Sequence, residues 1–480
     1  MSSSMSTHTS LSDRAPLTPR HRPLLALAAI VGTQMMLLLD ATVVNVALPD
    51  IGTDLGFSAT GMSWVLNTYT LAFGGLLLLG SRVGDLIGRR NALVAGVLAF
   101  TLASIAGGFA ANAAWLLVAR TAQGVSASLA APSTLALIAT TFKEGAERNR
   151  ALSVFSAVAG AGASIGLIVG GVLTDLGSWR WVFFINIPVG AAIALLATRY
   201  VTETERHRGG RFDLTGAFTG TLGTASLVYA FIRVGEEGWS DGRAISAFAA
   251  AVVLLALFVV NEARVERPLV VLRLFADRNR AIAYGCMLLV PAGMFGVFFF
   301  TTQYLQSVLG YGPLRTGVAF LPMAGLLFVA ARTVPRVLPR FGARRTAAGG
   351  ALLTLAGTLW LTQLSYGDGY ATALLGPLAL TGVGMGFTMM PLNTLILAGI
   401  QGRDAGSASG LLQTSQQIGG SLGLSILVTV FGTVSRGAGG GGAHAFVDGA
   451  AAAFGGAAVI AALALGLVLA VRTVPVRTDG

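Results

Sequence analysis

Fourteen apolar runs, each near 20 residues long, alternate with short polar gaps along the chain. They cover about 24–48, 60–80, 91–110, 114–139, 151–174, 181–199, 213–233, 244–262, 281–303, 314–333, 346–366, 370–398, 405–433 and 449–471. A helix needs about 20 residues to cross the hydrocarbon of a bilayer, so each run predicts one spanning helix. The fold class is therefore an all-α membrane protein with 14 transmembrane helices. The longest runs exceed what an upright helix needs, and tilt or a kink at Pro132 or Pro391 would absorb the excess.

The gaps test this reading. Of the 32 Lys and Arg residues, 26 fall in gaps on the N-terminal side and five, Arg180, Arg233, Arg243, Arg315 and Arg436, on the other. Arg120 alone lies deep inside a run, whereas Arg199, Arg233, Arg315 and Arg332 stand at the ends of theirs and count with the gaps. Basic residues stay on the cytoplasmic side of short loops, so this asymmetry predicts an even number of spans and both termini in the cytoplasm. It also accounts for the net charge of +11, which in a soluble chain would suggest nucleic acid. No nucleic-acid partner is expected. The expected partner is the lipid bilayer of the cell membrane, and the chain is expected to act as a monomer.

Residues 1–22 are polar and rich in Ser and Thr. They are expected to form a disordered cytoplasmic tail rather than a signal peptide, because the first apolar run continues to full bilayer length. Hydrophobic residues make up 54% of the chain and charged residues 11%, well below the roughly 25% charge of soluble domains. Cys286 is the only cysteine, and His8, His21, His207 and His444 all lie in tails or gaps. No disulfide, metal site or cofactor is expected. An intramembrane enzyme would need a catalytic pair within the spans, and a sensor would need a soluble domain; neither is present.

The chain also echoes itself. GSRVGDLIGRRNALVAG (Gly80 to Gly96) is matched by ARTVPRVLPRFGARRTAAGG (Ala331 to Gly350), each after the second helix of a set of six. Paired halves are a common transporter plan. The expected domains are a six-helix bundle over 23–199, a linker with two additional helices over 200–280, a second six-helix bundle over 281–472, and a short tail over 473–480.

Asp40 is the residue that points to chemistry. It sits in an otherwise uncharged run from Leu24 to Leu48. An ionised Asp at that depth costs roughly 2.5–3.5 kcal/mol on insertion scales, so such a residue marks a proton or ligand site. Asp40 lies about 8 residues, or ~12 Å, from the outer end of its span, and Arg120 about 6 residues, or ~9 Å, from the outer end of span 4. Equal depth predicts an ion pair. Burial favours the neutral acid and the guanidinium favours the carboxylate, so a proton can be gained or released as access changes.

Four further segments complete the reading: LDATVVNVALPDI (Leu39 to Ile51), WVLNTYTLAFGGLLLLGSRVGDLIGRR (Trp64 to Arg90), ARTAQGVSAS (Ala119 to Ser128) and SWRWVFFINIPVG (Ser178 to Gly190). In this order and spacing they resemble the fourteen-helix drug:proton antiporter branch of the major facilitator superfamily, from about Pro23 to Val471. The resemblance implies a two-bundle fold of 6+6 helices with two extra central helices, alternating access, proton coupling and export of amphipathic drugs or antibiotics. An importer or uniporter of a small nutrient is the alternative. By the same resemblance Asp40 is the membrane acid, and Arg120 and Gln123 belong to the motif tied to proton transfer.

Gly80, Gly84, Asp85, Gly88, Arg89 and Arg90 form the loop motif expected to gate the cytoplasmic side, with Asp85 capping a helix across the bundle interface. Gly162, Gly166, Gly170 and Gly171 occupy the antiporter motif of span 5 and permit close helix packing. Leu167 stands where that motif has Pro, so its kink is expected to be absent. Among polar groups in the spans, Asn45, Tyr69 and Gln417 are expected to line the cargo cavity, with the run Phe298 to Phe300 and Met385 adding adaptable apolar surface.

Overall fold

Helices dominate because the apolar runs are bounded by glycine, proline or polar caps and have no other way to satisfy their backbone in lipid. The computed structural model describes residues 21–472 apart from 205–212, 266–267, 271, 399, 401 and 438–441. Of the expected tails over 1–22 and 473–480, residues 1–20 and 473–480 lie outside the described residues, and His21 and Arg22 instead begin the first helix. Twelve helical stretches among the described residues are long and apolar enough to cross a membrane.

The N-terminal half contains α1 (His21–Leu55), α2 (Ser63–Ile87), α3 (Arg89–Gly108), α4 (Ala113–Thr141), α5 (Ala146–Leu176) and a sixth member broken into α6 (Trp181–Phe184) and α7 (Asn186–Tyr200). A hairpin of α8 (Leu214–Glu237) and α9 (Gly242–Arg264) follows. The C-terminal half contains α10 (Arg278–Gln303), α11 (Pro313–Ala319), α12 (Leu321–Leu361), α13 (Leu375–Leu397), α14 (Gly402–Gly437) and α15 (Gly442–Leu469).

The apolar stretch from Pro313 to Leu361 is 49 residues long. As one straight helix it would reach ~70 Å, more than twice the ~30 Å hydrocarbon core. It turns at Gly342, whose φ of 73° and ψ of 166° interrupt the helix. Gly88, with φ 97°, makes the matching turn between α2 and α3. Each glycine lies just before a pair of arginines, Arg89–Arg90 and Arg344–Arg345. The sequence echo is thus a repeated turn, and only glycine adopts this backbone without steric cost.

The two halves also repeat their packing. In the first, α1 meets α4, α5 and α7, and α3 meets α4 and α7. In the second, α10 meets α13, α14 and α15, and α12 meets α13 and α15. The α8–α9 hairpin stands outside this repeat. α8 lies across the seam between α2 and α14, where Leu71, Val228 and Ile232 form a small apolar cluster. Thr429 donates to the Phe231 carbonyl, and Arg436 donates to the carbonyls of Val234 and Gly235. α9 packs on α8 and turns most of its surface outward.

The halves interlock toward the end that carries the α1–α2 connection. Asn45 donates to Thr302 Oγ1 at 3.0 Å, and Gln306 Nε2 donates to the Val46 carbonyl at 2.8 Å. Asn67 donates to Ser425 and accepts from Ser421. Gly171 abuts Leu314, and Gly317 abuts the Leu167 carbonyl, so a side chain at either glycine would collide with opposing backbone.

Candidate functional site

α1 carries Asp40 into the middle of the N-terminal half, and the carboxylate is held there by three donors. Arg120 Nη1 donates to Oδ2 at 2.5 Å. Gln123 Nε2 donates to Oδ1 at 2.9 Å, and Asn186 Nδ2 to the same oxygen at 3.3 Å. Both members of the ion pair have fully buried side chains. The pair predicted from matched depth is therefore direct.

Helical spacing arms α4 for this contact. Arg120 and Gln123 are three residues apart and share a face, so Arg120 Nη1 also donates to Gln123 Oε1 at 3.0 Å. Arg120 Nε donates to the Val65 carbonyl of α2 at 3.0 Å. Its Nη2 has no hydrogen-bond partner among the described residues. The guanidinium lies over the Tyr69 ring, 4.4 Å from the centroid, a favourable cation–π arrangement in a dry site.

Ser104 and Asn186 complete the cluster, and neither is legible as a site residue in the sequence. Ser104 Oγ on α3 accepts from Gln123 at 3.0 Å and from Asn186 at 2.8 Å. The available signal was Asn186 itself, an amide in the apolar run that follows Arg180 in SWRWVFFINIPVG. Small polar residues are common in membrane helices, and only the partner set marks these two.

A cavity of about 130 Å³ lies between the halves, lined by Ala41, Thr42, Asn45, Leu66, Leu167, Met294, Phe295 and Phe298. Asn45 lies on this wall as expected, and its Oδ1 has no partner among the described residues. The other expected cavity groups fall elsewhere. Tyr69 is buried beneath Arg120, packed against Phe73 and Phe100. Gln417 presses its Cβ against Gly74 on the α2–α14 seam. Of the phenylalanine run, Phe298 reaches the cavity, whereas Phe299 and Phe300 are buried in the core.

Thr42 and Asn45 put one face of α1 on this cavity while Asp40 points into the ion-pair cluster. α5 holds α1 in that position. Gly166 lies against Thr42, Gly170 against Val43 and Gly162 against Leu38, so a Cβ at Gly166 or Gly170 would strike α1. Gly171 faces the other half instead. Leu167 sits inside an uninterrupted α5, so the helix runs without the proline break.

The chain matches the Major Facilitator Superfamily over residues 30–424. It is 42% identical over 408 residues to the puromycin resistance protein pur8 of Streptomyces alboniger, covering 84% of this chain and 81% of that protein. It is 38% identical over 416 residues to the cephamycin export protein CmcT of Amycolatopsis lactamdurans, covering 86% of each. This chain belongs to the Major Facilitator Superfamily. It is a multi-pass membrane transporter and not an enzyme, and its relatives place it in the drug-efflux branch. Among solved structures, a bacterial homologue of the human lysosomal transporter Spinster, inward-facing and unoccupied, matches 96% of this chain with a TM-score of 0.67 at 17% identity, which speaks to fold alone.

Within this superfamily member, the α2–α3 turn differs from expectation. Asp85 does not reach across to the other half; it pairs with Arg89 in its own loop at 2.5 Å, and its side chain is 38% exposed. The cap of α3 comes from Glu203, beyond the end of α7. Its carboxylate accepts the backbone N–H of Arg90 at 3.0 Å and of Asn91 at 3.1 Å. An acid at a helix N-terminus satisfies orphan donors and complements the dipole. Glu203 stands against Gly88, where a Cβ would collide with it. Thr204 Oγ1 accepts from the Arg89 backbone at 3.1 Å. Gly80 allows α2 to touch the Ser128 carbonyl of α4, and Gly84 lies near Ser133.

Proposed function

We propose that this protein is a proton-coupled antiporter that exports amphipathic antibiotics by alternating access. The observation that carries the reading is the double role of α1. It holds a buried Asp40 within a three-donor cluster on one side and lines the inter-half cavity with Thr42 and Asn45 on the other. A change in Asp40 protonation alters its hold on Arg120, and any resulting movement of α1 is felt at the cavity. The relatives named for puromycin resistance and cephamycin export support antibiotics as the cargo class.

Two further features support the fourteen-helix form. The 313–361 stretch divides at Gly342 into two legs, and the 31-residue α5 adds a span beyond the twelve recognised by hydropathy. The loop charges support both termini in the cytoplasm. The Asn45–Thr302, Gln306–Val46 and Asn67–Ser425 contacts between halves then lie toward the outer side, which supports a cytoplasm-facing conformation. Asp85, at the α2–α3 turn, would exchange Arg89 for the other half when the cytoplasmic end closes. The chain works as a monomer.

The test is transport by purified protein in proteoliposomes under an imposed pH gradient, with puromycin as probe. The wild type is expected to move puromycin against the direction of proton flow. Asp40→Asn is expected to insert normally and lose gradient-driven flux. Full gradient-driven transport by the Asn variant would sink the proton-carrier role, and co-directional flux of probe and proton would sink export.

A further inference from the structure

The end of the hairpin where α8 begins and α9 finishes carries two buried acids. Asp213 caps α8, and Glu262 lies in the last turn of α9, so both stand at the end that the loop charges assign to the cytoplasm. They are 7% and 3% exposed. A Cβ at Gly216 would strike both Asp213 Oδ2 and Glu262 Oε1, and the two carboxyls are within hydrogen-bonding contact. Among the described residues no Lys, Arg or His forms an ion pair with either acid. Arg264, two residues beyond Glu262, is exposed.

The two acids are unequally supplied with donors. Gly216 N–H donates to Asp213 Oδ1 at 2.7 Å, and Asn261 Nδ2 donates to Oδ1 at 2.8 Å and Oδ2 at 2.7 Å. Glu262 Oε2 accepts the Val270 N–H at 2.9 Å. Its Oε1 has no donor among the described residues. A buried carboxylate oxygen with no donor, set against a second carboxylate, is disfavoured by desolvation and by repulsion together. One proton removes both costs, because it makes Oε1 a donor to Asp213. Two carboxyls in contact hold a proton between them for the same reason.

We propose that Asp213 and Glu262 form a second proton-binding site, separate from Asp40, with the shared proton carried on Glu262 Oε1 and donated to Asp213. Loss of that proton puts two negative charges against each other at the α8 cap. It also falls on the bond from Val270 to Glu262, where the chain leaves the hairpin for the C-terminal half. α8 packs against both α2 and α14, so the site lies on an element that touches both halves. The inference does not rest on the exporter reading.

The experiment is infrared spectroscopy of the full chain in maltoside detergent, which has no carbonyl of its own, over a pH titration. The readout is the carbonyl stretch of protonated carboxyls. Near neutral pH the wild type is expected to show a band that is lost in Glu262→Gln, whose amide can donate to Asp213 in place of the proton, and kept in Asp40→Asn. A spectrum unchanged by Glu262→Gln overturns the proposal, and so does a band lost in Asp40→Asn alone, which assigns the proton to the ion-pair cluster. Asp213→Asn removes the facing charge, and the band is expected to vanish at a pH about one unit lower or more. Should Glu262→Gln fail to fold, that shift decides, and an unchanged midpoint overturns the proposal. The titration is repeated with N-methylglucamine in place of sodium. A band that appears only without sodium overturns the proton site in favour of a sodium site.

Discussion

The two halves of this transporter use one frame for opposite contents. Each packs its first, third, fourth and sixth helices around an interior space. In the N-terminal half, α1, α3, α4 and α7 fill it with Asp40, Ser104, Arg120, Gln123 and Asn186, all buried and joined by hydrogen bonds. In the C-terminal half, α10, the second leg of α12, α13 and α15 leave only a small space of about 20 Å³, lined with apolar side chains and threonines bonded to their own helices. The difference teaches that repetition of backbone does not repeat function. A buried ion pair is tolerated where every charge has partners, and an open space is tolerated where no polar group needs one. One half buries a charged pair; the other buries apolar side chains around a small space.

The sharpest way to break this contrast is to strip the charged half of its cation. Arg120→Ala leaves Asp40 buried against two amides and removes its only charged partner. The loss is expected to cost about 3–5 kcal/mol of stability, measured by denaturant unfolding in detergent. The surviving transport is expected to change its pH profile, because the carboxylate loses its charged partner. An unchanged profile would count against the pair as the coupling element. Arg120→Lys is not expected to restore function, since one ammonium cannot replace separate contacts to Asp40, Gln123 and Val65.

The converse change places an acid in the apolar half. Ala457→Asp sets a carboxyl in the C-terminal cavity with no cation on its walls. The expected cost is about 2.5–3.5 kcal/mol, seen as reduced membrane insertion or a lowered melting temperature. A variant as stable as the wild type would show that the cavity is wetter than its lining implies.

A smaller effect sharpens the comparison from within the polar cluster. Ser104→Ala removes an acceptor shared by Gln123 and Asn186, and both amides lose a bond in a buried site. The expected loss is about 1–3 kcal/mol, with coupling weakened rather than abolished. A double-mutant cycle with Asn186→Ala checks it: independent costs would mean that Ser104 is packing, not part of the network.

The smallest effect lies at the α2–α3 turn. Asp85→Asn breaks the pair with Arg89, an exposed contact worth about 0–1 kcal/mol, so stability is expected to hold. Turnover is expected to fall if Asp85 serves the closed cytoplasmic end. A reporter thiol on the cytoplasmic cavity wall, in a Cys286→Ser background, is expected to label faster in the variant. Equal labelling with equal transport would leave Asp85 an ordinary loop residue.

Much of this molecule follows from the chain alone. Apolar run length, loop charge and the paired turns at Gly88 and Gly342 specify where helices cross and where they reverse, because insertion energy is summed locally along each segment. The Asp40–Arg120 contact was legible for a related reason: two opposite charges at one depth in hydrocarbon have few other places to go. What required the tertiary structure was everything held by weaker or shared forces. Ser104 and Asn186 become site residues only because α3 and α7 meet α1 and α4. Tyr69 leaves the cargo cavity because Arg120 claims its ring, Asp85 pairs with Arg89 rather than capping a helix across the bundle interface, and Glu203, more than a hundred residues on, caps α3. Residue type sets what a side chain can bond to; which partner it meets depends on how helices distant in sequence pack, and that information is not local.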